Sequence, residues 1–181
     1  MSSRFERTAS ETVFEGGFFS VRRDTFRHED GKDAEREIVE HPGAVGIVVL
    51  DGEQLWLVRQ PREAVGAADL LELPAGKLDE EGEEPLETAK RELAEEIGKR
   101  AEEWVALGSF FTSPGFTNEE VHLFLATGIS DADERPAVEE DERIDVEVRP
   151  LGDLDTLIAE STDSKTIIGL ARLRERLAAG A

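Results

Sequence analysis

Apolar side chains recur at steps of three and four residues over positions 85–98, which predicts an amphipathic helix with one buried face. The apolar positions are Leu86, Ala89, Leu93 and Ile97. Pro85 suits the first helical position because its fixed φ and missing N–H cost nothing there. Gly98 follows the last apolar position and predicts a left-handed cap that ends the helix.

Apolar runs on both sides of this helix predict strands. Positions 44–50 form a nearly continuous apolar run, typical of a strand buried on both faces. Positions 54–59 return after a turn at Asp51-Gly52. Further strands are predicted at 104–111, 121–127 and 143–149, the last from strict alternation. The remaining predicted elements are amphipathic helices over 151–160 and 165–177 and a loop over 63–69.

The N-terminal part of the chain has a different pattern. Positions 12–40 predict short strands with turns at Gly16-Gly17 and Asp30-Gly31, the second being a hairpin signal. An antiparallel unit of this size is not stable alone, so we expect it to pack on the rest of the chain or on a second copy. We therefore predict a β-unit over 1–41 that serves dimerisation and a larger domain over 42–181.

Composition narrows the class of protein. The 181 residues carry a formal charge of −21, from 42 acidic and 21 basic side chains. This charge argues against nonspecific nucleic-acid binding and against docking on anionic membranes. The absence of cysteine excludes disulfides, thiolate zinc sites and a cysteine nucleophile. No signal-peptide pattern or bilayer-length apolar run is present, so we expect a soluble cytoplasmic protein.

Three carboxylates gather near the end of the predicted helix at 85–97. Glu92 and Glu96 are i, i+4 neighbours and Glu95 flanks them, at the end where the helix dipole is already negative. A cation would compensate this charge, and clusters of carboxylate oxygens suit Mg²⁺ or Mn²⁺. The alternative is a solvated acidic face on which Arg91 pairs with its neighbours.

The pattern around these carboxylates resembles the Nudix box, the signature of the Nudix hydrolases. The matching positions are Gly76, Glu83, Arg91, Glu92, Leu93, Glu95, Glu96 and Gly98. The loop between Gly76 and Glu83 is one residue longer than in the usual box. Lys99 stands just beyond the helix, where the family normally has an apolar residue.

Motifs outside the box resemble the ADP-ribose pyrophosphatase branch of this family. They are FSVRRD, REIVEHPGAV, RQPR, LELPAG, SPGFT and KTIIGL. The resemblance implies an α/β fold, an α/β/α sandwich with a mixed sheet, and a small N-terminal antiparallel β-unit packed between two subunits of a homodimer. It also implies hydrolysis of ADP-ribose to AMP and ribose 5-phosphate with Mg²⁺.

Roles for single residues follow from the resemblance. Its metal ligands would be Glu92, Glu95, Glu96 and the carbonyl oxygen of Ala75. Arg91 would orient these glutamates, and Glu140 or Glu142 on the acidic loop would be the catalytic base. The substrate-binding candidates are Arg36, Arg62, Glu72, Ser113, Gly115 and, more weakly, Phe18.

Three functions stay open from the sequence. The first is ADP-ribose hydrolysis, and the second is hydrolysis of another nucleoside diphosphate sugar or a dinucleotide, since the box reads only the diphosphate. The third is a Nudix-fold sensor that binds such a ligand without turnover. The intact box carboxylates and the lack of a basic segment argue against a sensor attached to DNA.

Overall fold

The computed structural model describes residues 4–133 and 143–180. The chain divides into two compact units, the first made of Met1–Gly43 with Phe111–Glu120 and the second of Ala44–Phe110 with Val121–Ala181. The strands are β1 Phe5–Glu15, β2 Ser20–His28, β3 Asp33–Glu40, β4 Ala44–Asp51, β5 Gln54–Arg62, β6 Ala67–Glu72, β7 Ala75–Lys77, β8 Lys99–Phe111, β9 Glu120–Asp131 and β10 Asp145–Pro150. The helices are α1 Pro85–Ile97, α2 Leu154–Glu160 and α3 Ser164–Ala178.

The first unit contains the antiparallel sheet β1-β2-β3. All residues of β1 are exposed, so this sheet has little apolar core of its own. Its one buried charged side chain among the described residues is Asp24, which accepts hydrogen bonds from Ser10 at 2.6 Å and from Arg7 at 3.3 Å. Ion pairs and backbone pairing therefore hold these strands together.

The second unit contains a mixed sheet of seven strands within the described residues, in the order β10-β5-β4-β9-β8 with β6 beside β5 and β7 beside β4. Strands β4 and β9 are parallel, and β4 pairs antiparallel with β5 and β7. One face packs on α1 through Val45, Ile47 and Val49, and the other face packs on α2 and α3. This arrangement confirms the α/β/α sandwich.

Two predicted local elements are wrong. The expected loop over 63–69 is a tight hairpin, in which Gly66 takes a left-handed φ of 68° and β6 pairs with β5. The first strand starts at Phe5, although its sequence shows no apolar alternation before position 12. In both places backbone pairing with the neighbouring strand stabilises the extended conformation. Neither segment has a buried face, so the sequence shows no hydrophobic alternation there.

No helix in residues 4–133 or 143–180 has the length and apolarity needed to cross a bilayer.

Candidate active site

Helix α1 carries the predicted metal ligands and begins and ends as its sequence indicates. Pro85 occupies the first turn, and Gly98 caps the helix with φ 66° and donates its N–H to Ala94 O at 3.0 Å. Leu93 and Ile97 are buried in the core beneath the sheet. The remaining face of the helix therefore presents its carboxylates toward the β6–β7 segment.

The segment between β6 and β7 is fixed at three successive residues. Leu73 N–H donates to Thr166 Oγ1 at 2.9 Å. Pro74 O accepts from Ile47 N–H at 2.9 Å, and Ala75 N–H donates to Glu96 Oε2 at 2.9 Å. Helix α3, strand β4 and helix α1 thus each hold one residue of this segment.

Gly76 allows Glu92 to approach the same segment. A Cβ at position 76 would lie 2.0 Å from both Cδ and Oε1 of Glu92, which is a steric clash. Only glycine leaves room for the Glu92 carboxylate at this point. The box glycine therefore permits the observed position of a side chain of α1.

Arg91 bonds to three carboxylates, which together with it we call the acidic cluster. Its Nη1 donates to Glu92 Oε1 at 3.0 Å and to Glu95 Oε2 at 2.8 Å, and its Nη2 donates to Glu83 Oε2 at 3.3 Å. Burial alone would lower the pKa of Arg91, but the bond to Glu83 and the charges of Glu92 and Glu95 raise it further above its usual value. Arg91 is therefore charged at any working pH.

Glu83 is held in its ionised form within the acidic cluster. Burial would raise the pKa of Glu83, but the Thr88 hydroxyl, which donates to it at 2.9 Å, and Arg91 lower it. Because three carboxylates surround one guanidinium, the cluster carries excess negative charge.

Glu72 lies under two cations, Arg62 and Lys165, which we call the cationic pair. Arg62 grips its carboxylate with two bonds, Nε to Oε1 at 2.6 Å and Nη2 to Oε2 at 2.9 Å. Lys165 Nζ donates to Glu72 Oε2 at 3.2 Å and to Asp163 Oδ1 at 2.8 Å. The hydrogen bond to Glu72 raises the pKa of Arg62, and burial offsets only part of that rise.

The sequence did not single out Lys165, Asp163 or Thr166 as site residues. Asp163 caps α3 by accepting from Thr166 N–H at 2.9 Å, and Lys165 reaches back to β6. The one signal was the motif KTIIGL, whose lysine and threonine are the residues that face Glu72 and Leu73.

Four predicted substrate-binding residues lie in the first unit. Phe18 is about half exposed, and its ring meets the rings of Phe19 and His41 edge to face at 5.2 and 5.7 Å. Arg36 is exposed and donates to Glu35 O at 2.8 Å. Ser113 O accepts from Phe116 N–H at 3.0 Å, which closes a turn around the exposed Gly115.

The two candidate bases, Glu140 and Glu142, lie outside the described residues. Lys99, the departure from the usual box, places its ammonium 4.5 Å from the centroid of the Trp56 ring and donates to Asp131 at 2.6 Å. A cation over the face of an aromatic ring is a favourable contact, so the departure is accommodated beyond the helix.

The residues around Gly76 fit a divalent cation in donor chemistry. Glu92, Glu95 and Glu96 supply the hard oxygen donors that Mg²⁺ and Mn²⁺ prefer. Within residues 4–133 and 143–180, no group of three or more acidic, histidine or cysteine side chains has the arrangement of a metal site. Glu92 and Glu95 instead point at Arg91, which holds them beside the segment that carries the Ala75 carbonyl.

Comparison with known families agrees with this arrangement. The NUDIX domain matches residues 40–168, and the nucleoside diphosphate sugar hydrolase N-terminal domain matches residues 5–39. The chain belongs to the Nudix hydrolase family, members of which generally require divalent metal ions. The resemblance seen in the box is thereby confirmed.

Two relatives align with nearly the whole chain. An ADP-ribose pyrophosphatase of Bacillus subtilis is 40% identical over 96% of this chain and 95% of its own. A methanol dehydrogenase activator of Bacillus methanolicus is 38% identical over 91% and 90%. A crystal structure of an ADP compounds hydrolase has the same fold, with a TM-score of 0.85 at 22% identity over 99% and 97%.

Proposed function

We propose that this protein hydrolyses the pyrophosphate bond of ADP-ribose, with water, to AMP and ribose 5-phosphate. The proposal rests on two neighbouring contacts: the Glu92 carboxylate lies against Gly76, and the Glu96 carboxylate accepts from Ala75 N–H. Together they place two carboxylates beside one fixed backbone segment. The names of its relatives in Bacillus subtilis and Mycobacterium tuberculosis, the latter 47% identical over 69% of this chain, favour ADP-ribose.

Mg²⁺ is the cofactor that we propose, with Mn²⁺ as a substitute. Glu92, Glu95, Glu96 and the Ala75 carbonyl would hold it. A bound divalent ion neutralises diphosphate charge and lowers the pKa of bound water. Arg91 keeps the glutamates in place before binding, since it already bonds to Glu92 and Glu95.

The cationic pair supplies the anion-binding part of the proposed site. Arg62 is fixed by Glu72 through one edge of its guanidinium, and its side chain is 41% exposed. A planar guanidinium with an open edge suits a diphosphate. We assign Arg62 to the substrate diphosphate on this basis.

The proton of the attacking water needs a base, and Glu140 is our first candidate, ahead of Glu142. A base acts mainly in the transition state, so Gln at its position should lower kcat and leave KM nearly unchanged. Added Mg²⁺ should not rescue a lost base but should partly rescue a lost metal ligand. Two variants with wild-type kcat would move the base to Glu95 or another box glutamate.

The first unit carries further substrate-binding candidates and the proposed homodimer interface. We propose that Arg36, Phe18, Ser113 and Gly115 contact substrate, and that the β-unit over 1–41 joins two copies of the domain over 42–181. The exposed apolar side chains of β1, among them Phe5 and Phe14, support this assignment. A clean monomer mass by light scattering at micromolar concentration would contradict it.

The deciding experiment incubates the protein with ADP-ribose and Mg²⁺ and measures AMP. GDP-mannose is the matched alternative, because a GDP-mannose pyrophosphatase of Cronobacter sakazakii is 29% identical over 92% of this chain. A higher kcat/KM for GDP-mannose than for ADP-ribose would mean that the substrate is a different nucleoside diphosphate sugar. Tight calorimetric binding of ADP-ribose without any product would favour a sensor.

A further inference from the structure

Lys165 occupies an unusual position between two carboxylates. Its ammonium bonds to Glu72 at 3.2 Å and to Asp163 at 2.8 Å, and only 17% of its side chain is exposed. Burial would lower the pKa of Lys165, but the charges of Asp163 and Glu72 outweigh burial and raise it. Lys165 is therefore a cation held inside the site.

Asp163 is stabilised by Thr166 as well as by Lys165. Its Oδ2 accepts from Thr166 N–H at 2.9 Å and from the Thr166 hydroxyl at 2.7 Å, at the N-terminus of α3. Backbone N–H groups and the helix dipole stabilise a carboxylate at that position. Because the N-terminus of α3 shares in stabilising Asp163, part of the charge of Lys165 balances Glu72, which is 1% exposed.

The contact between Lys165 and Glu72 affects the charge that Arg62 presents to solvent. Glu72 accepts two bonds from Arg62, and alone it would cancel the charge of the guanidinium. With Lys165 on the same carboxylate, Glu72 is balanced by two cations, so the charge of the solvent-exposed Arg62 is only partly cancelled by Glu72. Arg62 Nη1 makes no hydrogen bond within residues 4–133 and 143–180.

We propose that Lys165 is a positioning residue for the substrate anion. It balances part of the charge of Glu72, so that Glu72 can orient Arg62 while cancelling less of the charge that Arg62 offers to a diphosphate. Lys165 acts through Arg62 and does not touch substrate. The inference rests on the proposed function, because it takes the diphosphate of ADP-ribose as the anion.

The test compares Lys165→Met, Lys165→Arg and Arg62→Met by steady-state kinetics with ADP-ribose at saturating Mg²⁺. We expect Lys165→Met to raise KM about tenfold with kcat within about threefold, since anion binding is lost and the acidic cluster is intact. Lys165→Arg keeps the charge and should recover most of the KM. In the Arg62→Met background, Lys165→Met should add little, because residues that act through one another are not additive.

Lys99→Met is the matched control. Lys99 is exposed to a similar extent, 19%, and its ammonium also bonds to a carboxylate, that of Asp131. It makes no contact with Glu72 among the described residues. It should leave KM unchanged, whatever its effect on the melting temperature. A purely structural role for Lys165 would lower the melting temperature without the split between KM and kcat.

Three results would overturn the inference. They are an unchanged KM in folded Lys165→Met, a KM increase that remains full in the Arg62→Met background, and no recovery by Lys165→Arg. Failure of the proposed function is distinct, because wild type would then release no AMP. In that case the same variants are compared by calorimetry with inorganic pyrophosphate, and equal Kd values or no binding would overturn the inference.

Discussion

The acidic cluster and the cationic pair have different ratios of cations to carboxylates. In the acidic cluster, one guanidinium bonds to three carboxylates, Glu83, Glu92 and Glu95. The two cations of the cationic pair instead bond to two carboxylates, Glu72 and Asp163, and the N-terminus of α3 also stabilises Asp163. The first arrangement favours an incoming cation, and the second leaves one edge of the Arg62 guanidinium open to an incoming anion. A cation and an anion are the two partners that a metal-dependent diphosphate hydrolase must bind.

A single short segment connects these two regions. Glu72 accepts from the cationic pair, Ala75 bonds to Glu96, and Gly76 touches Glu92. The segment is anchored between them at Leu73 and Pro74. A chain with a charge of −21 can therefore still offer a site to an anion. Two cations lie beside the buried Glu72, and one of them, Arg62, is exposed to solvent.

Glu96→Gln tests the cation side and should have the largest effect. Glutamine can still accept from Ala75 N–H, so the fold should be kept, but the negative charge that attracts the metal is lost. We expect kcat for ADP-ribose to fall about a hundredfold or more, since a lost metal contact costs several kcal/mol in the transition state.

Glu87→Gln is the control for this change, because Glu87 lies on the same helix but pairs with Lys90 at the surface. It should keep wild-type kcat. An unchanged rate of Glu96→Gln at saturating Mg²⁺ would remove Glu96 from the ligand set and weaken the contrast between the two regions.

Gly76→Ala tests the same side through packing, with a smaller effect. The new methyl group would occupy the position of the Glu92 carboxylate, which can swing away because it is the end of a flexible side chain. We expect a loss of about tenfold or more in kcat with little change in melting temperature, because the ligand is displaced and the core is not.

Gly152→Ala is the matched glycine substitution, since a Cβ at position 152 meets no atom within 4 Å. It should behave as wild type in both measurements. If Gly76→Ala also has wild-type kcat, the position of Glu92 seen here is not the one used in the reaction.

The fold was predictable where local signals and a buried face coincide. Helix α1 has a proline at its start, a glycine at its end and one apolar stripe, and the structure matches all three. Strand β6 could not be found in the same way, because its pairing with β5 follows from the left-handed turn at Gly66. Strand β1 is exposed along its whole length and has no alternation to read.

The candidate site divides in the same manner. The carboxylates of α1 were visible because helical spacing places them on one turn. Lys165 was not, because it meets Glu72 across 93 residues of sequence. Charge pairing between distant elements leaves no periodic pattern in the sequence. The acidic cluster could therefore be predicted, whereas Lys165 of the cationic pair could not.

Thr166→Val breaks the anchor of the connecting segment. It leaves the Leu73 N–H without its acceptor and removes the hydroxyl bond to Asp163. We expect a loss of about 2 kcal/mol in the free energy of unfolding, the usual cost of a buried unsatisfied donor. Urea denaturation measures it, and Thr156→Val, an exposed helical position, is the control. Equal stability of the two variants would show that the anchor is dispensable.

Asp163→Asn tests the charge balance at the far end of the cationic pair and should have the smallest effect. Asparagine is also a good N-cap, so the bond from Thr166 N–H is kept, while the negative charge and the oxygen that accepts from Lys165 are lost. Burial would raise the pKa of Asp163, but Lys165 and Thr166 lower it below its ordinary value of 3.8.

A depressed folded-state pKa gives this effect a definite pH dependence. The carboxylate contributes stability that is fully present above its unfolded pKa and is lost as the pH falls through its folded pKa. Wild type should therefore exceed Asp163→Asn by about 1 kcal/mol at pH 7, and the difference should shrink below about pH 4. Urea denaturation of both proteins between pH 7 and pH 2.5 measures this difference. A difference that stays constant or grows toward low pH would mean that the charge of Asp163 is not coupled to Lys165, and that Lys165 belongs to Glu72 alone.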